Sequence, residues 1–189
     1  MEEYLKKELG EDENLLWSGR PEPFETLDQT NKKPVIVKAI VAGIAVTALC
    51  LAYILYAGRS GVGVKIGLPV ITVLIGIFAA VRPLMDAAKV RKSVMYAVTD
   101  KRILVIIGDS VKSLEYSSIN VARFRTDEDG HSALLCGEKG VTMKPSAWRA
   151  AVLSGVCTDE KTGLCDSFVL YAIPDAGKVK DLLKVYLPV

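Results

Sequence analysis

Two apolar runs, residues 39–57 and 66–81, interrupt an otherwise polar chain, with a glycine-rich connector over 58–65 between them. The first run carries no charge over 19 residues. At about 1.5 Å per helical residue it nearly matches a hydrocarbon core of about 30 Å. The second run is shorter and ends at Arg82, whose long stem extends the span toward Met85 by reaching to the interface. The pattern predicts a transmembrane helical hairpin over 34–86, with helices over 36–57 and 64–84. The polar flanks are too short to wrap two such helices in a soluble core. A cleaved signal peptide does not fit a run that begins near residue 35 behind an acidic N-terminus. Pro69, one turn into the second span, suits a helix start.

After the second span the period changes from helical to strand-like. Residues 94–99 and 102–107 are β-branched and aromatic runs joined at Asp100-Lys101, which predicts a hairpin. Further strands are predicted over 111–116, 120–125, 132–136, 141–144 and 168–173, a compact antiparallel meander. A short helix is expected over 148–153 and a polar loop over 158–163. Pro174-Asp175 then stops the last strand, with Asp175 as the expected N-cap of a final helix. Val179, Leu182, Leu183 and Tyr186 fall at i, i+3, i+4 and i+7, one apolar face to lay over the sheet. Ahead of the spans, a short helix over 2–9 precedes Leu15-Leu16-Trp17. That cluster is too apolar for a free tail and is expected to be buried against the C-terminal domain or the membrane surface. The chain thus divides into an N-terminal segment (1–33), a membrane hairpin (34–86) and a C-terminal domain (93–189) expected to fold alone.

Charge sharpens this division. Residues 1–31 hold nine acids against Lys6, Lys7 and Arg20, residues 32–92 hold nine bases against Asp86, and residues 93–189 balance twelve against twelve. The basic excess therefore flanks the membrane, and no clustered basic stripe for nucleic acid is present on the folded part. Lys32, Lys33 and Lys38 precede the first span, and Arg82, Lys89, Arg91 and Lys92 close the second. The connector carries only Arg59 and Lys65. The positive-inside rule then places both termini in the cytoplasm of a multi-pass protein of the cell membrane. Lys32, Lys33, Arg82, Lys89, Arg91 and Lys92 are the expected contacts to the interface. Within the spans, Ala39, Gly43 and Thr47 recur every four residues, as do Thr72, Gly76 and Ala80. Small residues at that spacing let helix backbones approach closely in lipid. The two stripes either face one another within the hairpin or leave one for another subunit. With no charge near the middle of either span, the hairpin reads as an anchor.

Candidate chemistry changes the picture little. Cys50 lies in the first span, and Cys136, Cys157 and Cys165 are expected to be reduced in a cytoplasmic domain. The sole histidine, His131, falls in a turn, and no metal-ligand spacing emerges. Asp127-Glu128-Asp129-Gly130 lacks the alternating acids and terminal glutamate of a calcium loop and reads as a hairpin turn. No nucleophile elbow or convergent carboxylate pair is visible. No catalytic residue, metal or cofactor is therefore expected.

Residues 14–21 (Asn-Leu-Leu-Trp-Ser-Gly-Arg-Pro) and 96–108 (Tyr-Ala-Val-Thr-Asp-Lys-Arg-Ile-Leu-Val-Ile-Ile-Gly) resemble the signature segments of the bacterial pleckstrin-homology-like family. The resemblance covers nearly the whole chain in the family's order, leaving 145–166 unaligned. It implies an α+β membrane protein: a two-helix hairpin followed by a pleckstrin-homology-like antiparallel β-barrel of about seven strands. A C-terminal helix caps the barrel. It also implies a membrane-tethered, often self-associating domain. Lys101 and Arg102 sit where eukaryotic relatives of the fold grip lipid headgroups. The alternative is structural, with Asp100 making the turn and Arg102 pairing locally. The reading that follows is a non-catalytic binding or scaffold module with the bilayer and a homo-oligomer or protein as partners. The alternative is an accessory subunit of a membrane enzyme or transporter, engaged through Thr72, Gly76 and Ala80.

Overall fold

A computed structural model describes residues 5, 9–10, 12–61, 63–138, 143–154, 156–157 and 165–187. The expected strand over 141–144 and loop over 158–163 lie largely or wholly outside these residues. So does the helix over 2–9, apart from a helical bond from the Leu9 N–H to the Leu5 carbonyl (3.1 Å).

Helix α1 spans Gln29–Arg59 and helix α2 spans Gly67–Ser93. Both outrun the expected bounds at the end that meets the rest of the protein. α1 starts early because Asp28 is its N-cap, its side chain accepting from the Asn31 N–H. α2 runs through Pro83 and hands over directly to the next strand at Val94. Each helix is long and apolar enough to cross a membrane, and only 6% and 0% of their most apolar windows is buried. A core helix of a soluble protein would be mostly covered; here Ile40, Ile44, Leu51, Ile71, Leu74 and Phe78 face outward.

Two antiparallel sheets form the remainder. The first has the order β1-β2-β3-β4, with β1 at Leu15–Gly19, β2 at Val94–Thr99, β3 at Arg102–Ile107 and β4 at Ser110–Glu115. The second has the order β5-β6-β8-β7, with β5 at Val121–Thr126, β6 at Ser132–Gly137, β7 at Val156–Cys157 and β8 at Cys165–Tyr171. Every strand pairing among the described residues lies within one sheet or the other, so the strands do not close into a barrel. Short helices α3 (Pro145–Ser154) and α4 (Ala176–Leu183) complete the chain.

One core lies between the sheets. Tyr96, Val98, Ile103 and Val105 meet Leu134, Phe168 and Leu170 there, each at most 2% exposed. Fully burying such a side chain contributes about 1.5–3 kcal/mol. The Tyr96 hydroxyl bridges the sheets, donating to the Tyr171 carbonyl (2.9 Å) and accepting from the Tyr171 N–H (3.0 Å). The first sheet is apolar on both faces, since Met95, Ala97, Leu104 and Ile106 pack on its outer side under Leu5 and Leu9. α4 lays Val179 and Leu183 over the core, and Tyr186 just beyond it stacks on Tyr116 at 4.8 Å.

Three details depart from the sequence pattern. First, the N-terminal segment is not separate from the C-terminal domain: residues 15–19 form the edge strand β1 of the first sheet, paired with β2. Second, of the Leu15-Leu16-Trp17 cluster only Trp17 is buried. A register shift between Leu15 and Trp17 at this edge leaves both leucines exposed. Third, Asp175 occupies the N-cap of α4 without capping through its side chain. Its φ of 52° is left-handed, whereas a capping side chain needs extended backbone to reach back over the first turn.

Candidate functional site

The chain's charged chemistry gathers where the helical hairpin meets the sheets. α1 presents orphan N–H groups at its first turn, and two carboxylates take them up. Asp28 accepts from the Asn31 N–H (3.0 Å). Asp129, from the β5–β6 turn, accepts from the N–H of Gln29 (3.2 Å), the N–H of Thr30 (2.9 Å) and the Thr30 hydroxyl (2.7 Å). Negative charge at this position also meets the positive end of the helix dipole. Burial works against ionised Asp129, but the bonds from Thr30 and Gln29 outweigh it and hold the carboxyl below its usual range.

The turn itself is built by Asp127, whose Oδ1 accepts from the N–H of Asp129 (3.0 Å) and of His131 (2.8 Å), with Gly130 at a φ of 88°. Only glycine adopts that backbone without strain. The expected hairpin turn is therefore present, and it also grips the first turn of α1.

Behind the turn lies a buried polar chain. Arg149 of α3, 4% exposed, donates to the Asp28 carboxylate and to the Tyr171 hydroxyl (3.0 Å). The Tyr171 hydroxyl donates to Asp127 Oδ2 (2.7 Å), and His131 Nδ1 lies 3.5 Å from the same oxygen. The Arg149 guanidinium also stacks over the Phe24 ring (4.6 Å) and the Tyr171 ring (5.2 Å). Burial comes first in pushing the Tyr171 phenol above its ordinary value, so it remains a hydrogen-bond donor.

Asp28, Asp127 and His131 bring potential ligand atoms within 4.8 Å of one another. Arg149 nonetheless supplies the positive charge there, and Asp28 and Asp127 already accept from Asn31, Arg149, Tyr171 and the turn N–H groups. This donor set is arranged as an ion-pair network around a guanidinium and not as an open cation site. In front of it opens a cavity of about 420 Å³, bordered by Phe24, Leu27, Lys32, Asp129 and His131.

The residues singled out in the sequence distribute as follows. Arg102 is engaged by Glu13, whose two carboxylate oxygens accept from Nε (2.9 Å) and Nη2 (2.8 Å). The hydrogen bond from Arg102 lowers the Glu13 carboxyl to about 2. Lys101 is exposed at the same hairpin, whose Asp100 accepts from Asn14. Lys32, Lys33, Arg82, Lys89, Arg91 and Lys92 are all exposed. Cys136 is buried, which pushes its thiol up to about 12. Cys157 and Cys165 sit opposite one another in the β7–β8 register.

The two small-residue stripes do not meet. Thr72, Gly76 and Ala80 are half-buried on the side of α2 that faces α1, and a Cβ at Gly76 would collide with the Val46 side chain. Ala39, Gly43 and Thr47 are exposed, and Gly43 and Thr47 line a shallow apolar groove with Ile40, Ile44 and Leu51. α1 instead meets its partner with Ala42, Val46, Cys50 and Tyr53, one helical turn apart. Val46 is the larger knob, and Gly76 is the hole that receives it.

Sequence reasoning missed the Asp28, Asp129, Arg149 and Tyr171 cluster. One signal was available: Arg149 is the only charge in the apolar helix over 147–153, where a lone arginine calls for a buried carboxylate. Compared with protein families, curated proteins and solved structures, the chain matches none of them.

Proposed function

We propose that this protein is a non-catalytic, membrane-anchored scaffold that presents its two-sheet domain at the cytoplasmic face of the membrane. The observation that carries this reading is the clamp between Asp129 and the first turn of α1. It joins two outward-facing apolar helices to a folded domain through hydrogen bonds and a buried ion pair. Such a junction fixes the domain against the membrane and does not leave it on a flexible tether. Both polypeptide ends of the hairpin emerge on the domain's side, because β1 before α1 pairs with β2 after α2. The basic residues Lys32, Lys33, Lys38, Lys89, Arg91 and Lys92 flank that side, which supports a cytoplasmic location.

The pleckstrin-homology-like resemblance belongs to this reading. Its signature segments 14–21 and 96–108 contribute β1, β2 and β3, adjacent strands of one sheet. Self-association rests on the outward-facing Ala39, Gly43 and Thr47, a close-packing surface that the hairpin does not use. The second reading, an accessory subunit of a membrane enzyme or transporter, draws on the same surface, since Thr72, Gly76 and Ala80 are spent within the hairpin. Purification in mild detergent tests the two. A homogeneous self-assembly supports the scaffold; a stoichiometric co-purifying enzyme or transporter replaces it with the subunit.

A further inference from the structure

We infer that the cavity between the first turn of α1 and the start of α3 holds the phosphate of an anionic phospholipid headgroup, gripped by Lys33 and Lys144. The inference rests on the membrane reading above and adds a defined site to it. The cavity has a volume of about 290 Å³, and its lining includes Lys33 and Pro34 from α1, Lys144 just ahead of α3, Pro145 and Ser146 at the start of α3, and Glu128 from the β5–β6 turn. The ion pairs formed among the described residues are Arg102–Glu13, His131–Asp127, Arg149–Asp28 and Lys184–Asp181. Neither lysine takes part in them, and neither does Glu128. Two ammonium groups bordering one cavity repel each other until an anion enters between them. Together with Glu128 they leave one net positive charge, which complements the single negative charge of a glycerol phosphodiester. The Ser146 hydroxyl adds a neutral donor.

Position along α1 distinguishes a lipid from a free phosphate. Ile36, Val37 and Ile40 follow Lys33 at i+3, i+4 and i+7, so they share its face of the helix. Their exposures are 47%, 58% and 56%. Ile36 lies about 4.5 Å along the axis from Lys33, which places the lysine within a headgroup layer about 5–7 Å deep. A lipid whose phosphate sits between Lys33 and Lys144 can therefore run its acyl chain down the apolar face directly below. Inorganic phosphate makes no use of that face.

The test uses the full chain in mild detergent, titrated with phosphatidylglycerol or phosphatidylcholine in mixed micelles, with bound lipid counted by native mass spectrometry. The wild type is expected to prefer phosphatidylglycerol by about tenfold or more, and K33Q/K144Q to lose that preference. K33R/K144R should retain it, and so should K178Q/K180Q, which removes two exposed charges on α4 outside the cavity. Millimolar inorganic phosphate should not displace the lipid. The site is overturned if K33Q/K144Q keeps the preference, if K33R/K144R loses it, or if K178Q/K180Q abolishes it equally. Displacement by inorganic phosphate would also overturn it, by showing an anion site indifferent to lipid. A chain that leaves the membrane without detergent would refute the membrane reading itself. A chain that stays in the membrane and binds both lipids equally would refute only the site.

Discussion

The carboxylate of Asp129 reaches out of the β5–β6 turn and takes both the N–H (2.9 Å) and the hydroxyl (2.7 Å) of Thr30 in the first turn of α1. A residue 99 positions away thereby takes up first-turn donors that the N-cap Asp28 leaves free, so the start of α1 is pinned to the sheet domain. D129A should destabilise the folded protein by about 1–2 kcal/mol, the range for losing a helix cap. D129N should cost less, because the amide oxygen still accepts one bond. Thermal unfolding of the detergent-solubilised chain measures both, and equal stability of D129A and wild type would remove the clamp from the account.

Behind that cap, Asp28 and Arg149 form a buried ion pair, each side chain about 5% exposed. Removing one partner of such a pair leaves a charge without a counter-ion and costs about 3–5 kcal/mol. D28A and R149A should each fall in that range by chemical denaturation. Replacing both with apolar residues, as in D28L/R149M, should recover part of the loss, since no charge is then stranded. Recovery is incomplete because Asn31 and Tyr171 also lose their partners. A double variant that is worse than the two single losses combined would contradict the pairing.

The parts of this fold that were legible in the sequence are those set by local period. Residues 94–99, 102–107 and 132–136 alternate or run apolar and became β2, β3 and β6 almost without shift. The two long apolar helices were legible for the same reason. The illegible parts depend on contacts between distant residues. Leu15–Gly19 becomes a strand only because β2 offers it an edge, more than 70 residues later in the chain. Arg149 finds Asp28 across 121 positions, and no periodicity encodes that distance. The direction of the two small-residue stripes was equally hidden. Spacing says that Gly43 and Gly76 each belong to a smooth helical stripe, but only the packing shows that Val46 fills the notch at Gly76 and leaves Gly43 outside.

The fragment 93–189 tests how far the N-terminal segment belongs to the domain. It lacks β1, the core side chains of Trp17 and Phe24, and Asp28, the partner of Arg149. Losing a buried tryptophan alone costs about 3–5 kcal/mol, against a total of about 5–15 kcal/mol for a domain. The fragment should therefore unfold non-cooperatively or aggregate. Linking residues 12–28 to its N-terminus should restore a cooperative transition by circular dichroism. A fragment as stable with the segment as without it would return the domain boundary to residue 93.

Acid should loosen the contact between the N-terminal segment and the β2–β3 hairpin. The hydrogen bond from Arg102 is the main reason the Glu13 carboxyl sits at about 2 and not at its ordinary 4.5. A folded value below the unfolded one means that the contribution is complete above pH 4.5 and disappears as pH falls toward 2. E13Q should be less stable than wild type at neutral pH, and the difference should shrink on acidification through that window. Parallel stability curves for the two proteins would show that the ion pair contributes nothing.

The asymmetry of the two glycine stripes yields the sharpest test of assembly. Gly76 has no room for a side chain, because a Cβ there strikes Val46 of the neighbouring helix, whereas a Cβ at Gly43 meets nothing within 4 Å. G76L should therefore force the hairpin apart and lower stability by about 1–3 kcal/mol or more, the cost of overpacking. G43L should leave the hairpin and the sheet domain untouched. If copies associate through Ala39, Gly43 and Thr47, the same substitution blocks their close approach and converts the assembly to monomer. Light scattering in detergent reads the mass, and thermal unfolding of the same samples reads the fold. Loss of assembly in G43L at unchanged stability supports contact between copies through α1. Unchanged mass in G43L would direct the search for self-association to the sheet edges β4 and β5.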